Sequence, residues 1–204
     1  MDLVKYKCYH YSEHTFSRRD METINTLLNK AMNEDVTINY EDLNGKANGM
    51  CVYDGSDYYI LIDHAVKYDA KLHKSVLAEE LGHYYTMIDD PTPKANNTYH
   101  KKCRVDKEED KAARWATSTV ISNDELLDYL ATNLRATIND LVDHFEVTYE
   151  FMHKKLVFMS LKQEYYEVCE NHYLCLQNSP SIYITKFFDA DLASKAKALY
   201  GRKY

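Results

Sequence analysis

A chain of 204 residues fits one domain, or one domain with a helical appendage. Its 45% hydrophobic residues suffice for a real core, and 19 tyrosines supply much of that area, each with a hydroxyl that needs water or a partner. A net charge of −7 argues against bulk binding of nucleic acid or an anionic membrane surface, both of which need a positive field.

The opening stretch, MDLVKYKCYHYSEHTF, has no apolar run that would act as a signal peptide, and no segment approaches the roughly 20 apolar residues of a membrane span. Residues 17–33 place Met21, Ile24, Leu27, Leu28 and Met32 at helical spacing. VTINYEDL has strand character, and MCVYDGSDYYILID predicts a hairpin across Asp54-Gly55-Ser56. The run Tyr58-Tyr59-Ile60-Leu61-Ile62 is apolar enough for a central strand. A helix over about 69–87 carries Leu72, Val76, Leu77, Leu81 and Tyr84 on or beside one stripe. DDPTPKANNTYH, residues 89–100, is a loop by composition, and a second helix is expected over 105–120.

Ser122 and Glu125 form a capping-box pattern that opens a third helix with Leu126, Leu127, Leu130 and Leu134. Shorter helices follow over about 137–145 and 148–159, and the tail is expected to form a hairpin turning at Asn178-Ser179-Pro180. Strands first and helices after favour an α+β fold. Cys8, Cys51, Cys103, Cys169 and Cys175 are odd in number and form no C-x-x-C pair, which predicts reduced thiols in a cytoplasmic protein.

Chemistry concentrates in VLAEELGHYYT, residues 76–86. It is nearly the His-Glu-x-x-His signature of a zinc-peptidase helix, with Glu79 where the first histidine would stand. Glu79 and His83, four apart, share a helix face and can reach one ion, while Glu80 is rotated by about 100° and stands beside it as a base. Gly82 inside a helix costs roughly 1 kcal/mol relative to alanine, an expense that a closely packed backbone would explain. A third ligand must come from elsewhere. In KEEDKAARWATSTV, Glu109 lies on the stripe Ala112, Ala113, Ala116 and Val120, whereas Glu108 aligns with Ala112, Trp115 and Thr119. Periodicity does not separate these two, and EELGH alone is also compatible with a solvated acidic helix.

Together, the strand pair, LAEELGHYYT and Glu109-Asp110-Lys111-Ala112-Ala113-Arg114-Trp115-Ala116 resemble the ImmA/IrrE family of metallo-endopeptidases over roughly residues 20–160. The resemblance implies a zincin-like α+β fold: a metallopeptidase core over 1–121, with a small N-terminal sheet and active-site helices. A helical, helix-turn-helix-like substrate-docking part with a C-terminal β-hairpin would follow over 122–204, the two integrated in one domain. It further implies His83 and Glu109 as metal ligands, in preference to Glu108, Glu80 as general base, and Glu79 as a substitute ligand. The cofactor implied is one divalent ion, zinc first, with manganese or iron as alternatives. Replacing a histidine ligand by Glu79 makes the summed charge of ion and ligands zero instead of +1. That raises the pKa of a bound water and shifts preference toward harder ions.

The expected activity is cleavage of a regulatory protein, such as a repressor encoded by a phage or mobile element. The rival is a pseudo-peptidase that binds protein without hydrolysis. DNA binding is disfavoured: Asp124, Glu125, Asp128, Asp140, Asp143, Glu146 and Glu150 face only Arg135 across 122–150, and Lys154 and Lys155 make a thin basic patch. Glu80-x-x-His83 with Glu150-x-x-His153 would suit a di-iron bundle, but the strand-rich first third sits poorly with one. Tyr84 is as compatible with the core as with the site, His64, His73 and His144 are expected in ordinary surface or core roles, and Trp115 is expected to anchor the second helix in the core.

Overall fold

The computed structural model describes residues 18–87, 98–179 and 181–186. The N-terminal stretch, including Cys8, and most of the expected 89–100 loop lie outside them.

Helix α1 (Arg18–Asn33) buries Ile24, Leu27 and Ala31, spaced three and four apart. Met32, expected on the same stripe, is 45% exposed, because one position past Ala31 rotates it about 100° off that face. The helix stops where Asp35 turns left-handed (φ 56°) and the Val36 N–H reaches back to the Ala31 carbonyl at 2.9 Å.

Three strands follow: β1 (Thr37–Glu41), β2 (Gly49–Tyr53) and β3 (Tyr58–Asp63), in the order β1-β3-β2. β3 is central, as its apolar run predicts, parallel to β1 and antiparallel to β2. Ile60 and Ile62, two apart and hence on one face, are fully buried. The turn at Asp54 is held by its carboxylate, which accepts from the N–H groups of Ser56 and Asp57. This holds the Asp54 carboxyl down at about 2.

Helix α2 (Ala70–Met87) packs against this sheet, α1 and α3 (Thr98–Val120). It is buried through most of its length: His73, Lys74, Ser75, Val76, Leu77, Ala78, Leu81 and Tyr84 are all covered. α3 starts seven residues before the 105 expected, so Thr98–His100 are helical and not loop. At the α2–α3 crossing, a Cβ added to Gly82 would meet the Ala112 carbonyl oxygen at 2.4 Å, which accounts for a glycine in mid-helix.

Helix α4 (Asn123–Thr132) opens with the predicted Ser122–Glu125 capping box. Leu134 lies beyond its end and is 38% exposed, whereas Leu126 and Leu130 are buried. Helices α5 (Ile138–Phe145) and α6 (Tyr149–Ser160) pack together, and α6 also lies on α3. A second antiparallel sheet has the order β4-β5-β6, built of β4 (Tyr165–Cys169), β5 (His172–Cys175) and β6 (Tyr183–Lys186). β5 and β6 form the expected hairpin, whose Pro180 lies outside the described residues; β4 was not expected. One apolar cluster runs from Ile24 to Leu176 and joins both parts of the chain. The architecture is α+β, as the element order predicts. Among the described residues, no helix is long and apolar enough to cross a membrane.

Candidate metal centre

Because α2 and α3 touch backbone to backbone at Gly82 and Ala112, the side chains one turn to the side are forced together. His83 Nε2 lies 3.4 Å from Glu109 Oε2, a separation close to the roughly 3.3 Å edge of a tetrahedron with ~2.0 Å bonds to one ion. His83 is 19% and Glu109 63% exposed, so the pair sits at a rim open to solvent. His83 therefore meets Glu109, the alternative that the resemblance favours over Glu108.

Glu80 is set deeper, under the sheet. A Cβ on Gly49 would come within 2.8 Å of Glu80 Cγ and 2.9 Å of its Oε1, so β2 leaves room for the carboxylate only by carrying glycine there. The parity of β2 then supplies a donor. Asn48 and Asp54 bond toward the β3 side, through Asp63 N–H to Asn48 O (2.9 Å) and Asp54 N–H to Asp57 O (3.2 Å). Cys51, an odd number of residues from both, turns its N–H outward to Glu80. Burial, then the charges of Glu79 and Glu109, push the Glu80 carboxyl up to about 7, with the Cys51 N–H opposing them. A carboxyl there is poised to exchange a proton near neutrality. The Cys51 thiol is pushed up to about 12 by burial and by Glu80, so it stays protonated and is no thiolate nucleophile.

Glu79 points elsewhere. Its Oε1 lies 2.7 Å from the ammonium of Lys154, delivered by α6. Among the described residues, no three His, Cys, Asp or Glu side chains converge closely enough to enclose an ion. The spacing of His83 and Glu109 would suit two donors to one ion, whereas Glu79, the expected third, is engaged by a lysine. Gly49, Cys51 and Lys154 were not singled out as site residues in the sequence; the backbone of one strand and the side chain of a distant helix carry no local motif. Tyr84 belongs to the core: it is 6% exposed and stacks edge-on against Tyr58 and Tyr85. Trp115 stacks on Tyr85 with ring centroids 4.6 Å apart, as an anchor between α2 and α3.

Residues 31–157 match the family model described as Peptidase_M78, IrrE N-terminal-like domain. A solved structure described as a Mycobacterium tuberculosis transcriptional regulator is similar at 14% identity and a TM-score of 0.44. That similarity covers 69% of this chain and 47% of the other, so this chain spans about half the length of that relative. A search of curated proteins found no match.

Proposed function

We propose, from the premise that this chain belongs to the Peptidase_M78 family of IrrE N-terminal-like domains, that it is a metal-dependent endopeptidase acting on a regulatory protein. The observation that carries this reading is the joint placement of Glu80 under the β2 edge and of the His83–Glu109 pair beside it. A divalent ion held by His83, Glu109 and Glu79 would supply Lewis-acid polarisation of a scissile carbonyl and of a water. Glu80 takes the proton of the attacking water and returns it to the leaving amine. Cys51 N–H holds the Glu80 carboxylate in place through that exchange. Tyr53, 52% exposed and of the same parity on β2 as Gly49, offers apolar ground on the face of the sheet that carries Glu80 for a side chain of an extended substrate segment. A repressor of a phage or mobile element remains the proposed substrate.

The Glu79–Lys154 ion pair favours a second reading, a pseudo-peptidase in which lysine supplies the charge that a metal would bring. Zinc or manganese titration of purified protein beside His83→Ala, with cleavage of a proteome-derived peptide library followed by mass spectrometry, separates the two. The peptidase reading expects one ion per chain, lost with His83→Ala, and cleavage lost with Glu80→Gln. One ion bound with no cleavage, or no ion bound, would establish the second reading.

A further inference from the structure

The end of α3, the start of α4 and the last turn of α6 enclose a cavity of about 80 Å³. Its lining brings three cations, Arg114 from α3 and Lys155 and Lys162 from and just beyond α6, together with the polar Ser118 and Asn123 and the apolar Phe158 and Met159. Among the described residues, no carboxylate lines it, in a chain whose net charge is −7.

Lys155 is the informative group. It is 3% exposed, and its Nζ bonds Asn123 Oδ1 at 2.8 Å. An ammonium carries three donors, and a buried one left without a counter-charge is costly. The carboxylate acting on it is Glu125, whose Oε2 is held at 2.9 Å by the Ser122 hydroxyl and at 3.2 Å by its N–H in the α4 cap. Burial and the like charge of Lys162 both press the Lys155 ammonium toward losing its proton, down to about 8. Arg114 is fixed with its guanidinium 4.3 Å above the Phe158 ring, so part of this charge is pre-positioned.

We infer that this cavity binds the phosphate group of a small ligand, held by Arg114, Lys155, Lys162 and the amide of Asn123. The volume is well above the roughly 10–15 Å³ of cavity that one water needs, which leaves room for a tetrahedral oxyanion. Donors arriving from three elements suit such an anion better than a planar carboxylate, and charge-assisted bonds from arginine and lysine supply the affinity. The inference is independent of the hydrolytic reading, since none of these residues belongs to the proposed metal centre.

Calorimetric titration at constant ionic strength tests it with three probes: inorganic phosphate, free phosphoserine and adenosine monophosphate. Millimolar or tighter binding of at least one probe is expected. Arg114→Gln combined with Lys162→Gln, both at the rim, should weaken binding at least tenfold, and so should Lys155→Met. Lys46→Gln, an exposed lysine on the β1–β2 loop, should leave it unchanged. Preference for inorganic phosphate identifies a free ion as the source, and preference for either ester identifies a monoester. Absence of binding by all three probes, or equal affinity in the Arg114/Lys162 double variant, overturns the proposal.

Discussion

The Lys154 side chain is 42% exposed and that of its Glu79 partner 30%, with 2.7 Å between the ammonium and the carboxylate oxygen. An ion pair that open to water contributes at most about 1 kcal/mol. A divalent ion held by three protein ligands releases considerably more, so Lys154 is a competitor that a metal can displace and not a permanent plug. If Glu79 is a ligand, Lys154→Met should tighten zinc binding by up to about fivefold, the equivalent of ~1 kcal/mol, and Glu79→Gln should loosen it. Competition against a chelator of known affinity measures both. Equal affinity in the two variants would take Glu79 out of the ligand set and leave His83 and Glu109 as a two-donor site.

The α2–α3 crossing is where element packing and site geometry become one problem. Gly82→Ala gains about 1 kcal/mol of helix propensity, but its methyl would lie 2.4 Å from the backbone oxygen of Ala112, which cannot swing aside. The helices must separate, at an overpacking cost of about 3 kcal/mol, so a net loss of roughly 2 kcal/mol in urea unfolding is expected. Separation also pulls His83 from Glu109, so metal affinity should fall even where the variant stays folded. In α4, Ser122→Ala removes the hydroxyl that accepts from Glu125 N–H and should cost about 1 kcal/mol by the same measurement.

These two elements also mark what the sequence discloses. The Ser122–Glu125 box is legible because its partners lie within one turn, and Glu80, Gly82 and His83 draw notice because they stand in a fixed local pattern, although the groups they meet are distant in sequence. The meeting of Glu79 with Lys154 spans 75 residues and is decided by how α6 lies across α3. Gly49 looks like an ordinary turn residue until α2 is laid beneath it. β4 escapes because only Tyr166 of its five residues is buried, so YYEVC shows no alternation to read.

For the whole molecule, the sharpest test is stability against pH, and His73 is its main lever. Its ring is fully buried, bonds the Tyr40 hydroxyl at 2.8 Å through Nε2, and is depressed from 6.5 to about 4 by burial and then by the charge of Lys67. Between those two values the unfolded chain holds a proton that the folded chain refuses, so stability falls as pH drops through this window. The loss is about 2 kcal/mol by pH 5 and about 3 kcal/mol by pH 4. Glu80 acts in the opposite sense: raised to about 7, it takes up a proton in the folded state where the unfolded carboxyl is already ionised, so its contribution grows as pH falls from about 7. The two nearly cancel in the wild-type curve, and the difference between wild type and His73→Gln isolates the histidine. Urea unfolding at pH 7.5 and pH 5 should show His73→Gln gaining about 2 kcal/mol relative to wild type over that interval. Parallel curves would mean that His73 takes up its proton in the folded protein as readily as in the unfolded chain, so that burial does not exclude the charged ring at pH 5.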